Sequence, residues 1–249
     1  MAYAVVTREL DSTSAYVTVL ATRGLDVIAM PVTRTEPPRD ATALARALES
    51  QYAAIVIASV RGAAALVAAR GAQPLPEVWA VGPATQRALQ AAGISARTAQ
   101  SASDAAALAH ALIATREIAG QRVLVPRAEG GRDDAIEILR AAGAEVVDVI
   151  AYRTVPAPAD DPAVVAGHDA LVLGRADVCV VFAPSQVRAL EGLVGPLVRL
   201  NVVWVAIGDT TGAVLREAGI DEVSIATTPT PEGVANAVAA VYLREPEPT

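Results

Sequence analysis

Trp79–Gly93 reads WAVGPATQRALQAAG, and Val205–Gly219 reads VAIGDTTGAVLREAG. Aligned without a gap, the two share Ala80/Ala206, Gly82/Gly208, Thr85/Thr211, Leu89/Leu215, Ala92/Ala218 and Gly93/Gly219. Each copy has the form of a short apolar strand, a glycine turn and a helix that ends on glycine. A fully apolar strand marks a buried position in a parallel sheet. Gly82 and Gly208 are expected to let the backbone turn tightly, and Pro83 suits the first helical position. Gly93 and Gly219 have the place of left-handed C-caps. Thr85 and Thr211 each follow the turn glycine by three residues, which puts them in the first helical turn at the carboxyl edge of the sheet. Ligands bind at that edge in open α/β sheets. Two copies imply two such edges, expected to face one another.

A second repeat lies outside the first. Tyr3–Pro37 aligns without a gap on Arg122–Pro156, pairing Val6/Val125, Arg8/Arg127, Leu20/Leu139, Gly24/Gly143, Val27/Val146, Arg34/Arg153 and Pro37/Pro156. Apolar runs predict strands at Tyr3–Thr7, Leu25–Pro31, Ala53–Ala58 and Val178–Phe182. Helices are expected from about Ser12 to Arg23, Asp40 to Gln51 (Asp40 as N-cap), Gly62 to Ala69, Pro162 to Leu173 and Gln186 to Val194. Ser103-Asp104 is expected to cap a helix through Leu112, and Thr230-Pro231 one through about Leu243. Arg244–Thr249 is expected to fray. Strands alternating with helices in the order A-B-A′-B′ predict two α/β domains with parallel sheets covered on both faces. Periodicity leaves the pairing open: A with B and A′ with B′, or B with A′ and A with B′.

At 249 residues the chain can bury one large core or two small ones. Hydrophobic residues make up 53% but aromatics only 3%, so the cores are built from Ala, Val, Leu and Ile. No apolar run approaches the roughly 18 residues of a membrane helix, and the start of the chain lacks a signal-peptide pattern. A cytoplasmic protein is expected. The net charge of −7 argues against general affinity for nucleic acid or membrane surfaces. Cys179 reads as a buried strand cysteine. His110 and His168 have no Cys, Asp or Glu at ligand spacing, so no metal is expected.

The V-x-T-R start, the strand ending at Ser59, the VGPAT and IGDTT turns, Gly130-Gly131-Arg132, the YRTVP stretch from Tyr152 and the F-x-P-S turn at Phe182–Ser185 together resemble the uroporphyrinogen-III synthase family. The resemblance covers nearly the whole chain in order. It implies two similar doubly wound parallel-sheet domains, 38–150 and 1–33 plus 157–249, joined by a two-stranded β-ladder of segments 34–37 and 151–156. It also implies a monomeric, cofactor-independent lyase that closes the linear tetrapyrrole hydroxymethylbilane into uroporphyrinogen III, inverting ring D and losing water, in a cleft between the domains. Such a task needs no strong nucleophile. It is positioning, with stabilisation of a developing cation and of departing hydroxide. Helix N-termini can hold the substrate's carboxylates without an excess of basic residues.

By the resemblance, Tyr152 is the phenol that helps the hydroxyl leave; the plainer reading is a linker tyrosine packed on a domain edge. Thr85 and Thr211 match family threonines facing the cleft, or stabilise their own helices. Ser59 and Ser185 are expected to end strands at the same edge, as carboxylate contacts or helix caps. Arg8 and Arg127 are candidates for paired cations there, though one is open to a structural ion pair. Arg34 and Arg153 are expected to fix the linker, and the Gly130–Arg132 loop to meet a carboxylate. Asp209, Ala183 and Glu9 depart from the residues common at their positions, which are proline, serine and proline. The rival reading is a non-enzymatic two-lobed α/β sensor for an anionic metabolite.

Overall fold

The computed structural model describes residues 2–9, 14–99 and 104–242. Ser12, Ser103, Leu243 and the tail from Arg244 lie outside the described residues. In chain order, β1 (Ala2–Val6), α1 (Ser14–Ala21), β2 (Leu25–Ala29) and β3 (Thr33–Glu36) come first. Next are α2 (Ala43–Ala47), β4 (Ala54–Ile57), α3 (Val60–Ala69), β5 (Glu77–Ala80), α4 (Gly82–Ala91), β6 (Ala96–Arg97) and α5 (Ala105–Thr115). Then follow β7 (Arg122–Ala128), α6 (Asp134–Ala141), β8 (Glu145–Pro156) and α7 (Pro162–Val172). The chain continues with β9 (Val178–Val181), α8 (Pro184–Val194), β10 (Val203–Ala206), α9 (Asp209–Glu217), β11 (Val223–Ile225) and α10 (Pro231–Val241).

These elements form two compact units, Met1–Arg34 with Val155–Thr249 (unit 1) and Thr35–Thr154 (unit 2). Unit 1 holds a parallel sheet in the order β11-β10-β9-β1-β2. The second sheet runs β3-β8-β7-β4-β5-β6, parallel from β8 to β6, with β3 beside β8 at its edge. Of the two pairings periodicity left open, the sheets adopt the second: A with B′, and B with A′. Counted in the order of the repeat, each sheet reads 2-1-3-4-5, the doubly wound order with one topological switch point.

Alternation along the strands builds a core on each face. In unit 1, Val5, Cys179, Val181 and Trp204 pack with Val164, Val187, Leu190 and Leu215 of α7, α8 and α9. Ala4, Val6, Val178, Val180 and Val205 pack the other way, on Tyr16 and Leu20 of α1 and Val234 and Val238 of α10. Unit 2 repeats the scheme. Val56, Trp79, Val123 and Val125 meet α5 and α6, while Ile55, Ile57, Val78, Ala80 and Leu124 meet α2, α3 and α4. Cys179 is fully buried, and burial pushes its thiol pKa up, away from reactivity. The helices after β1 and β9 therefore leave on opposite faces, as do those after β7 and β4. Each pair opens a crevice at the carboxyl ends of its strands.

Side-chain caps explain several helix starts. Asp104 accepts from Ala107 N–H at 2.9 Å, Asp161 from Ala163 N–H at 2.9 Å and Thr230 from Gly233 N–H at 3.1 Å, with Pro231 at the first position. Gly93 and Gly219 take positive φ of 73° and 87° after α4 and α9.

Two local expectations fail. The helix expected from Asp40 shrinks to Ala43–Ala47, because Asp40 accepts from the backbone and hydroxyl of Thr42 and forms a turn instead. Hydrogen bonds from Arg46 and Thr42 hold its carboxyl pKa down at about 2. Gly82 has φ 70°, but Gly208 is extended at φ −179°, a conformation open to any residue. Only the first turn requires its glycine. The edge strands β6 and β11 carry no apolar run of their own and were not foreseen.

Candidate active site

In unit 2, β8 has one residue too many for its neighbour. Arg127 pairs with Ile150 and Ala128 with Tyr152, so Ala151 is bulged out. Val147, Val149 and Ala151 lie on the face covered by α3, and the bulge puts Tyr152 on that face too. Strict alternation would have sent its ring to the other side. The phenol thus reaches past the end of β7, and Tyr152 Oη lies 2.9 Å from Ser59 Oγ. Ser59, extended at φ −157°, is the N-cap of α3 and accepts from Gly62 N–H at 3.0 Å. Arg61, in the same first turn, reaches Thr154 Oγ1 at 3.5 Å.

In unit 1 the equivalent crevice is built from different side chains. Ala183, not Ser185, is the N-cap of α8 and makes no side-chain capping bond. Ser185 does not end the strand; it is the second residue of the helix and is exposed. Gln186, inside the helix, turns back on the strand ends instead. Gln186 Oε1, buried, accepts from Phe182 N–H at 3.0 Å and from Thr7 Oγ1 at 2.7 Å. Beside it, the Arg8 guanidinium lies 4.8 Å from the centroid of the Phe182 ring and 5.3 Å from that of Tyr16. Arg8 Nη1 also donates to Tyr16 Oη at 3.2 Å. Burial raises the Tyr16 phenol pKa above its usual value, with Arg8 drawing it partly back.

Arg127 is held quite differently. Its Nε and Nη2 donate to Asp148 Oδ2 at 3.2 and 2.9 Å, and Nη1 donates to the Gly131 carbonyl at 2.8 Å. Nη1 also lies 2.8 Å from Asp133 Oδ1. At the positions equivalent to Asp148 and Asp133, unit 1 has Ala29 and Ser14.

The model of the family described as uroporphyrinogen-III synthase matches residues 14–236. The chain belongs to the uroporphyrinogen-III synthase family. Its activity is that of the family, the cyclisation of hydroxymethylbilane to uroporphyrinogen III in tetrapyrrole biosynthesis, a lyase reaction. The fold is similar to that of uroporphyrinogen-III synthetase from Helicobacter pylori, at 16% identity and TM-score 0.65, covering 97% of this chain and 100% of that one. It is also similar to a mutant uroporphyrinogen III synthase from Thermus thermophilus, at 19% identity and TM-score 0.62, covering 96% and 97%. No curated protein matches by sequence.

Placed in this synthase family, the remaining candidates separate. Thr85 and Thr211 are both buried, in the first turns of α4 and α9. The first-turn positions open to solvent are Pro83 and Ala84 in one copy, Asp209 and Thr210 in the other. A Cβ at Gly82 or Gly208 would meet nothing within 4 Å, so both turns present open backbone. The Gly130-Gly131-Arg132 loop is internally engaged: Arg132 pairs with Asp134, and the Gly131 carbonyl holds Arg127. Arg153 Nη2 donates to Glu36 Oε2 at 2.5 Å, across the β8–β3 edge. Among the described residues no group of three or more His, Cys, Asp or Glu could hold a metal, and no helix is long and apolar enough to cross a membrane. The bulge that aims Tyr152 and the bonds Gln186 accepts from Phe182 and Thr7 were not foreseen; neither residue's neighbours in sequence signal them.

Proposed function

We propose that Tyr152 is the proton donor of the cyclisation, and that Arg8 and the open first turns of α4 and α9 bind the carboxylates of hydroxymethylbilane. The C–O bond of the hydroxymethyl group breaks with its electron pair on oxygen, which leaves as water after taking the phenol proton. The methylene left behind is a cation delocalised into its pyrrole. The ring D carbon that already carries the bridging methylene attacks it; the bond from that bridge to ring D then breaks and re-forms at the ring's free α-carbon, which inverts the ring, and that carbon loses its proton. The balance is loss of one water. What the protein supplies is a placed proton donor and fixed ends, because the substrate reacts unaided to the other isomer.

One observation carries the assignment of Tyr152: a bulge turns its phenol out of the strand's alternation and onto a hydroxyl at the carboxyl edge of β4. Bulges that re-aim a side chain recur beside active sites. Thr85 and Thr211, being buried, support the first turns from beneath rather than touch substrate. We further propose a cytoplasmic monomer without nucleic-acid or membrane partners, in keeping with the net charge of −7. Segments 34–37 and 151–156 serve as the linkers, with Arg153 and Glu36 holding their geometry.

The test is the isomer ratio from freshly made hydroxymethylbilane. Wild type should give isomer III, and Tyr152→Phe should lower kcat by about 100-fold, the scale of one general acid. Isomer I alone from wild type would refute the activity. An unchanged kcat in Tyr152→Phe would remove the phenol from the mechanism.

A further inference from the structure

We propose that Ser59 is a positioning residue that acts through Tyr152: its hydroxyl donates to the phenol oxygen and so leaves the phenol proton free to point at the departing group. The inference rests on the role given to Tyr152 above.

Three observations meet at this serine. Its Oγ accepts from Gly62 N–H at 3.0 Å, which uses one lone pair and fixes the rotamer. The same oxygen lies 2.9 Å from Tyr152 Oη, where either atom can donate. An oxygen that already accepts a hydrogen bond is a stronger donor through its own proton, because linked bonds polarise one another. Gly62 N–H belongs to the first turn of α3, the positive end of that helix, so the chain runs from the helix end to serine to phenol. When the phenol gives up its proton, the negative charge on Oη is met by the Ser59 O–H and, behind it, by the helix terminus. This arrangement is formed before the reaction and needs no reorganisation during it.

The third observation is steric. A Cβ at Gly62 would lie 3.3 Å from Ser59 Oγ, with Ile57 Cγ2 and the Pro126 carbonyl each at 3.7 Å. The absence of a side chain at 62 is what lets the serine hydroxyl sit where it does. Alanine there favours the helix but pushes Oγ by a few tenths of an ångström, away from the placement that serves Tyr152. Unit 1 has no such arrangement: Ala183 replaces the serine, Thr33 stands at the position of Tyr152, and Gln186 at that of Gly62. The hydroxyl pair is therefore not a general requirement of the repeat.

Steady-state kinetics on hydroxymethylbilane, with thermal unfolding of every variant, provide the test. Glycine is a competent N-cap, so Ser59→Gly keeps the helix start and removes the hydroxyl. Its kcat should fall about tenfold, the scale of one hydrogen bond to a charged group, with KM unchanged. Ser59→Thr should recover most of the rate. In a Tyr152→Phe background, Ser59→Gly should have no further effect. Gly62→Ala should unfold no earlier than wild type and yet lose several-fold in kcat. A rise in KM alone for Ser59→Gly would make the serine a substrate contact and overturn the proposal. Losses that multiply with those of Tyr152→Phe, or full activity in Gly62→Ala, would overturn it equally. If Tyr152→Phe itself is fully active, the role of the phenol fails, and that of the serine with it. If Tyr152→Phe is slow but Ser59→Gly is not, only the serine is wrong.

Discussion

Arg8 and Arg127 occupy the same place in two copies of one segment, yet they are held in different ways. Arg127 is held by two carboxylates and a carbonyl, with its side chain 21% exposed. Arg8 sits on two aromatic rings and one phenol oxygen. The difference lies in the partners: Asp148 and Asp133 in one unit become Ala29 and Ser14 in the other, while Ala135 and Ala58 become Tyr16 and Phe182. A guanidinium whose charge is already balanced stiffens its loop. One laid on ring faces keeps donors to offer, and its geometry is fixed without an anion. The repeat places two cations after equivalent strands, and their surroundings hold one in ion pairs and lay the other on ring faces.

The sharpest way to break this comparison is to remove the two charges in turn. Arg8→Met should lower kcat/KM about 100-fold, or about 2.7 kcal/mol, mostly through KM, and leave urea stability nearly unchanged. Arg127→Met should do the reverse. Losing hydrogen bonds to a partly buried carboxylate destabilises by about 2 kcal/mol, and Arg140, 3.5 Å from Asp148, compensates only in part. KM should stay within about twofold of wild type, since no substrate contact is lost. If both variants raised KM alike, the division of labour would be wrong and the two arginines would be paired cations after all.

The same contrast explains what the sequence could and could not show. The gapless repeat made the two-unit plan legible, because strand, glycine and helix recur at fixed spacing and each sheet must bury both faces. Ser59 as an edge residue was legible for the same reason. Ser185 was not, because the cap position falls two residues earlier, on Ala183, and Gln186 binds the strand ends in its place. The bulge at Ala151 left no mark in the stretch from Val146 to Tyr152; only pairing against β7 creates it. The locking of Arg127 depends on Asp148, on the adjacent strand and 21 residues away. Local pattern fixes elements, while partners across strands decide what a charged side chain does.

A smaller effect tests the other shared edge, the first turns of α4 and α9. Asp209 stands exposed at the first position of α9, where the repeat has Pro83 in α4. A carboxylate there favours its own helix, because it faces the free N–H groups of the first turn. If those N–H groups receive substrate carboxylates, the same charge competes with the ligand it adjoins. Asp209→Asn should then lower KM about threefold and cost roughly 0.5 kcal/mol of stability, the scale of one charge at a helix end. Pro83→Asp should do the opposite on the other edge, raising KM. Both shifts should shrink as salt rises from 50 to 500 mM (on the order of a halved Debye length or less), whereas an effect on turn geometry would not. Opposite shifts in KM, both sensitive to salt, would mean that the two edges bind anions in the same way even though their arginines have parted. A KM unmoved in both variants would leave Arg8 as the cation that carries recognition and reduce the first turns to scaffolding.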